Sequence, residues 1–412
     1  MKASRPMAAS IAAIAGLAMV TACSSGGSSS GASSGASSGG GSATAAAGSP
    51  IKILVISQLQ AASFSFPEIA NGAEAAAAAI NAAGGVNRHP VQVSTCNDQG
   101  NPNVAATCAR TAVTGNYTAV IAPTTLYAAS VLPLLQAAQI PYSGNALDTI
   151  EYTNPDSFPV NGGDPLDYGG AGYVEAQAGC KNAAIITDTS ADSVDTAMPA
   201  AARGFASGGG HPVTTIIKAA DTNPDFSAPV SQAVSSGAGC LLLVEAPAAV
   251  AKIVAAVRQS PKPDMPIATL AAAFPQALVT SLGKAANGVT LTESFAIPSA
   301  TGTPVFWADM QKYQPSAARS SQALLAWIEV NLVKQVAAQA KAYDHQSLLA
   351  ALKQTANVDI EGMGGPVNFS QPNADSGISR IFAHYDFVYE VENGAFIPQD
   401  GGKGVNVSSV LP

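Results

Sequence analysis

Two adjacent hydroxyls, Thr124 and Thr125, follow the apolar run at 119–122 and precede a helical pattern at 127–138. Set between a strand and a helix, these hydroxyls and the next backbone amides could converge on an anion, aided by the helix dipole. The same threonines could instead cap the helix that follows them. Carboxylates stand at comparable places later: Asp188 and Asp192 after the run at 183–187, and Glu245 after the run at 241–244. They could receive a cationic group or remain solvated. Phe64 and Phe66, beyond the first apolar run, could form an apolar or stacking wall, or pack in the core. Such groups suit the recognition of a small polar molecule.

The motifs of bond-making chemistry are incomplete. G-x-S-x-G occurs at 27–31, but within a Ser/Gly/Ala tract that has no strand before it and no helix after it. Gly283-Lys284 lacks the upstream glycine and the following hydroxyl of a phosphate loop, and the glycine clusters at 169–172, 207–210 and 401–404 do not complete G-x-G-x-x-G. His89, His211, His345 and His384 are scattered without ligand spacing. No metal, cofactor or catalytic residue is therefore expected, and a secreted α/β hydrolase is the weaker rival reading.

The elements that must position these residues alternate. The run at 51–56 is short, β-branched and apolar, as a strand covered on both faces is. Pro67 and Glu68 open a helix, Gly84-Gly85 close it, and 91–94 reads as the next strand, which makes a right-handed βαβ unit. Further strands are expected at 119–122, 140–142, 183–187, 213–218, 241–244, 267–270 and 289–292. Helices are expected between them, including one at 195–206, and a long polar loop at 143–158. Helices at 305–313, 320–341 and 346–354 follow, then strands at 366–369 and 381–391 closed by Asn393-Gly394. The expected class is α/β, with two doubly wound parallel-sheet lobes. In such sheets ligands bind beyond the carboxyl ends of the strands, so a cleft between facing lobes would gather the residues named above.

The start of the chain reads as targeting. Lys2 and Arg5 precede an apolar stretch at 7–20, too short for a stable span, which ends Val20-Thr21-Ala22-Cys23. Residues 24–49 contain only Ser, Gly, Ala and Thr, a composition expected to stay disordered with a mean reach of about 25–30 Å. All 27 acidic residues lie beyond this tract, against 17 basic ones, leaving the body near −10. That balance, without a Lys/Arg cluster, argues against nucleic acid. Four cysteines remain after Cys23. An exported chain favours pairing them, Cys96 with Cys108 and Cys180 with Cys240, over four free buried thiols.

I-K-I-L-V-I at 51–56, N-G-A-E at 71–74, I-N-A-A-G-G-V-N at 80–87, P-V-Q-V at 90–93, and N-D at 97–98 with N-P after it resemble the opening of the Leu/Ile/Val-binding-protein family. These are type I periplasmic solute-binding proteins of ABC importers, and the likeness continues through 365–368. The resemblance implies a lipobox, with cleavage before Cys23 and lipidation there. It implies a leader at 1–22, a tether at 23–49, a first lobe at 51–162 with a return at 296–357, and a second lobe at 163–295 with a terminal ribbon at 358–412. The three crossings make a hinge.

By the same resemblance Thr124 or Thr125 holds a ligand carboxylate, and Ala146 with Asp148 belongs to a second contacting loop. The second lobe departs from the pattern. The family's Tyr and its ammonium-pairing Glu correspond to Asp192 and Ala271, leaving Asp188, Asp192 or Glu245 to replace the acid. The implied ligand is an amino acid, amide or small carboxylate. The implied partners are an ABC permease with its ATPase subunits and, through the anchor, the membrane. A tethered sensor reporting to a receptor would use the same cleft.

Overall fold

The computed structural model describes residues 47–61, 65–190, 193–299 and 301–412. The stretch expected to be a leader, Cys23, the expected tether as far as residue 46, Phe64 and Asp192 lie outside the described residues.

The first lobe is built on β1 (Ile51–Ser57), α1 (Glu68–Ala82), β2 (Val91–Asn97), α2 (Pro102–Thr114), β3 (Ala119–Ala122), α3 (Ala128–Ala137) and β4 (Tyr142–Gly144). Its four strands run parallel in the order β2-β1-β3-β4. β3 is buried on both faces along its whole apolar sequence, and β1 is buried everywhere except at the half-buried Lys52. Ile51, Ile53 and Val55 face the core shared with α1, while Leu54 and Ile56 face Cys108, Val131, Leu132 and Leu135 of α2 and α3. Asn101 caps α2 by accepting the amides of Asn103 and Val104, and Pro102 supplies a first-turn residue that needs no donor.

The second lobe follows with α4 (Gly163–Gln177), β5 (Ala183–Thr187), α5 (Met198–Ser207), β6 (Thr215–Lys218), α6 (Ser227–Ser235), β7 (Cys240–Val244), α7 (Pro247–Arg258), β8 (Ile267–Leu270), α8 (Gln276–Leu282) and β9 (Val289–Glu293). The expected helix at 195–206 divides into a π-helical turn, Ser193–Ala197, and α5. Pro199 has no amide for the carbonyl four residues earlier, so the α-helical ladder cannot run through this point. α4 and α5 meet at bare backbone, and a Cβ added at Gly204 would collide with the carbonyl of Gly169.

α9 (Pro304–Tyr313) and α10 (Ser321–Ala337) then return to pack on α1, and α11 (His345–Leu352) follows. The terminal strands β10 (Tyr385–Glu392), β11 (Ala395–Pro398) and β12 (Val405–Asn406) join the second sheet antiparallel. That sheet has eight strands, ordered β11-β10-β9-β8-β7-β5-β6 with β12 on β10. The β10–β11 turn is Asn393-Gly394, both at positive φ as a tight hairpin requires. The strand expected at 366–369 is absent, and only the single bridge Val358–Val367 forms there. β10 begins at Tyr385 because Ile381 is drawn into a cluster with Ala146, Tyr152 and Ile378.

Three passages link the lobes side by side. The amide of Gly162 donates to Ser294 Oγ at 3.1 Å, that of Gly364 to the Ser294 carbonyl at 3.1 Å, and that of Ala296 to the Gly362 carbonyl at 2.7 Å. Disulfides join Cys96 to Cys108 and Cys180 to Cys240, the latter at the start of β7. Among the described residues no helix is long and apolar enough to cross a membrane.

Candidate functional site

The carboxyl ends of β1, β2 and β3 form one connected polar layer. Ser57 Oγ donates to the Thr124 carbonyl at 2.6 Å and accepts the Thr124 amide at 3.1 Å. Thr125 is buried, and its hydroxyl donates to Asp98 Oδ2 at 2.6 Å while accepting the Tyr127 amide at 3.3 Å. Thr125 thus both caps and is held by an internal carboxylate. The Thr124 hydroxyl lies 2.6 Å from Gln322 Oε1, at the start of α10.

Gln322 leads into a cavity of about 450 Å³ between the lobes. Phe66, Glu68, Arg319, Ser320, Ser321 and Gln322 line it from the first lobe, and Ala271, Ala272, Pro275, Glu293 and Phe396 from the second. Ala271 and Glu293 stand at the carboxyl ends of β8 and β9, and the Phe66 amide is tied to the carbonyl of Gln58 just past β1. Strand ends of both sheets therefore meet here, as the connectivity of open parallel sheets leads one to expect.

One pole of the cavity sets a cation and a helix start beside the carboxylate of Glu68, which accepts the Ser320 hydroxyl at 3.0 Å. Ser320 caps α10 by accepting the Ala323 amide at 3.3 Å, which directs the positive end of a 17-residue helix at the space lined by Ser320–Gln322. Arg319 stacks over Trp307 at 4.9 Å and donates from one terminal nitrogen to Gln311 Oε1 at 2.8 Å, while its buried Nε has no partner. The opposite surfaces, Phe66, Ala271, Ala272, Pro275, Ile297 and Phe396, are apolar. Burial, then the charge of Asp167, holds the Glu293 carboxyl well above the usual carboxylate range.

The remaining expected residues lie elsewhere. Ala146 is fully buried at positive φ. Asp148 accepts the Ala129 amide of α3 at 3.0 Å and the Ile150 amide at 3.2 Å, which makes it a helix and turn anchor. Beside it, Glu151 accepts the amides of Leu147 and Asp148 at 2.9 Å and the Tyr142 hydroxyl at 2.9 Å, and burial pushes its carboxyl up to about 7. Glu245 is 4 % exposed at the end of β7, facing Asp188 and Asp221 rather than the cavity. Burial first, then Asp221 and Asp188, push its carboxyl up to about 9.

Arg319 and Ser320–Gln322 were not legible as site residues, because attention to strand ends passes over a helix start. The signal was present in R-S-S-Q before the apolar helical pattern, a hydroxyl cap with a cation beside it.

Residues 50–384 match the family model described as periplasmic binding protein. An extracellular ligand-binding receptor from Verminephrobacter eiseniae ef01-2 shares the fold with a TM-score of 0.73 at 19% identity, covering 84% of this chain and 99% of its own. A solute binding protein of an ABC transporter from R. palustris, in complex with 4-hydroxybenzoate, gives 0.69 at 19% identity, covering 87% and 96%. A fatty acid ABC transporter substrate-binding protein from Thermomonospora curvata gives 0.69 at 15% identity, covering 87% and 94%. At these identities the likeness is one of fold. No curated protein sequence matches the chain significantly.

Proposed function

The chain belongs to the periplasmic binding protein family, whose members bind small solutes for ABC transporters and are not enzymes, and we propose that it captures a small carboxylate with an apolar body between its lobes. The observation that carries this reading is the pairing of Arg319 and the α10 N-terminus with an apolar opposite wall in one cavity of about 450 Å³. An anionic head at the Arg319 guanidinium and the first turn of α10 gains charge-assisted hydrogen bonds, and the body displaces water from Phe66, Pro275 and Phe396. Gln322 fixes the head's orientation, with Thr124 holding the Gln322 side chain. An amino acid fits less well, because Ala271 offers no carboxylate and burial disfavours the charged form of Glu293. The 4-hydroxybenzoate complex and the fatty acid transporter protein among the neighbours agree with this class.

Closure about the three linking passages would seal the cleft, and the closed form would deliver the solute to an ABC permease and its ATPase subunits. Cys23, lipidated, would hold the body at the extracytoplasmic face of the membrane through the Ser/Gly/Ala tract. Cys23→Ser should then release the protein into the aqueous phase, and retention of the variant on membranes would remove the anchor from the account. A thermal-shift screen against benzoates, medium-chain fatty acids, amino acids and short amides tests the solute class. Carboxylates with an apolar body should raise the midpoint, and a response confined to amino acids or amides would contradict the reading.

A further inference from the structure

We infer that Asp188, Asp221 and Glu245 form a site for a hard divalent cation of the calcium class in the second lobe. The three residues follow β5, β6 and β7, which are neighbours in the sheet order β7-β5-β6, so one edge of the lobe presents three carboxylates together. One oxygen from each lies within 4.8 Å of the other two. Oxygens bound to one calcium ion at about 2.4 Å can be no further apart than about 4.8 Å, so a single ion can reach all three.

The hydrogen bonds around the trio fix its frame and leave carboxylate oxygens over. Asp188 Oδ2 accepts the Ser190 amide at 3.0 Å, and Oδ1 accepts the Asp221 amide at 3.2 Å. Asp221 Oδ1 accepts the Ala246 amide at 2.9 Å. Backbone amides thereby lock each loop to the next. Glu245 differs from its neighbours: it is 4 % exposed, and neither carboxylate oxygen has a hydrogen-bond partner. A carboxyl this dry, set between two acidic neighbours, takes its charged form only when something positive meets it.

No basic side chain does so. Among the described residues the one ion pair joins Lys353 to Asp156. An all-oxygen set with a glutamate free to chelate through both oxygens is the donor chemistry of calcium, magnesium and manganese rather than of zinc or copper. None of the three residues lines the cavity that holds Arg319, so this site is separate from the proposed anion pole. The carboxylates stand 33 and 24 residues apart in the chain, which is why no ligand spacing announced them.

Calorimetric titration of CaCl2 into the chelator-treated protein, repeated with MgCl2 and MnCl2, tests the site. The expected result is one Ca2+ per chain, with affinity at least tenfold weaker in Glu245→Gln and reduced in Asp221→Asn while circular dichroism stays native. Two variants guard against loss of fold in either one. Absence of saturable heat with all three cations would overturn the inference, as would unchanged affinity in both variants. It would equally fall if ethylammonium chloride bound in a Glu245-dependent manner while Ca2+ did not, since the trio would then be a subsite for an organic cation.

Discussion

The hydroxyl of Thr125 donates to Oδ2 of Asp98 at 2.6 Å, and the same carboxylate accepts the amide of Gly100 through Oδ1 at 2.9 Å. A ligand's carboxylate would have to compete with an internal one for that hydroxyl. Thr124, one residue earlier, is instead joined to Gln322 and through it to the interlobe cavity. Adjacent threonines of the same chemistry thus serve different layers of the protein.

Thr125→Val should therefore lower stability without altering solute affinity. Removing the hydroxyl leaves a buried Asp98 oxygen without its donor, at a cost of about 1–3 kcal/mol. Thr124→Val should do the converse, weakening binding by loosening Gln322 while shifting the thermal midpoint little. Paired measurements of midpoint and affinity on the two variants check both halves. Weakened binding in the Thr125 variant alone would reverse the assignment.

Stability should fall as pH rises from about 5 to 8. Burial, opposed by the amides of Asp148 and Leu147 and the Tyr142 hydroxyl, raises the folded Glu151 carboxyl from 4.5 to about 7. Burial likewise raises Asp167 from 3.8 to about 6, against hydrogen bonds from Ser294 and Asp386. The folded state then holds protons that the unfolded state releases, so this stabilisation is complete below the unfolded value and is lost as pH passes the folded one. For Glu151 it amounts to about 3 kcal/mol. Glu293, Glu329 and Asp386 are raised mainly by burial and act in the same direction. Midpoints recorded across this range should decline, and Glu151→Gln should flatten the profile. A midpoint that rises with pH contradicts the reading.

The disulfides close loops of different lengths, separated by 12 residues for Cys96–Cys108 and by 60 for Cys180–Cys240. In the chain-entropy model their removal costs about 3 and about 4 kcal/mol respectively. Serine pairs at each bridge, compared by chemical denaturation, should rank in that order. Intact mass after alkylation without reductant should show no label on these four cysteines.

Much of the fold was legible, for a reason visible in particular strands. β3, β5 and β8 are covered on both faces, so their sequences are almost wholly apolar, with Thr187 and Thr269 the exceptions, and their limits stand out. Asn393-Gly394 announced its hairpin through the backbone it needs. Residues 366–369 misled because β-branched and aromatic types there pack as a loop, Phe369 meeting Phe158 and Phe382 edge-on at 5.5 and 4.9 Å. The candidate site was less legible. Thr124 and Phe66 could be named from their places after strands, but Arg319 lies before a helix whose return to the first lobe is a tertiary event. Asp221, with Asp188 and Glu245, enters one cluster only through the order of strands in the sheet. The polar region at 143–158 hid Glu151, whose partners come from its own loop and from β4.

The central claim is that Arg319 receives the carboxylate of a solute with an apolar body, and calorimetric titration of 4-hydroxybenzoate and octanoate into wild-type protein and Arg319→Gln tests it most directly. A charge-assisted hydrogen bond contributes about 1.5–3 kcal/mol, so the variant should bind roughly 10- to 150-fold more weakly, with Arg319→Lys between the two. Equal affinity in wild type and Arg319→Gln, or tight binding of L-leucine where neither acid binds, would contradict it.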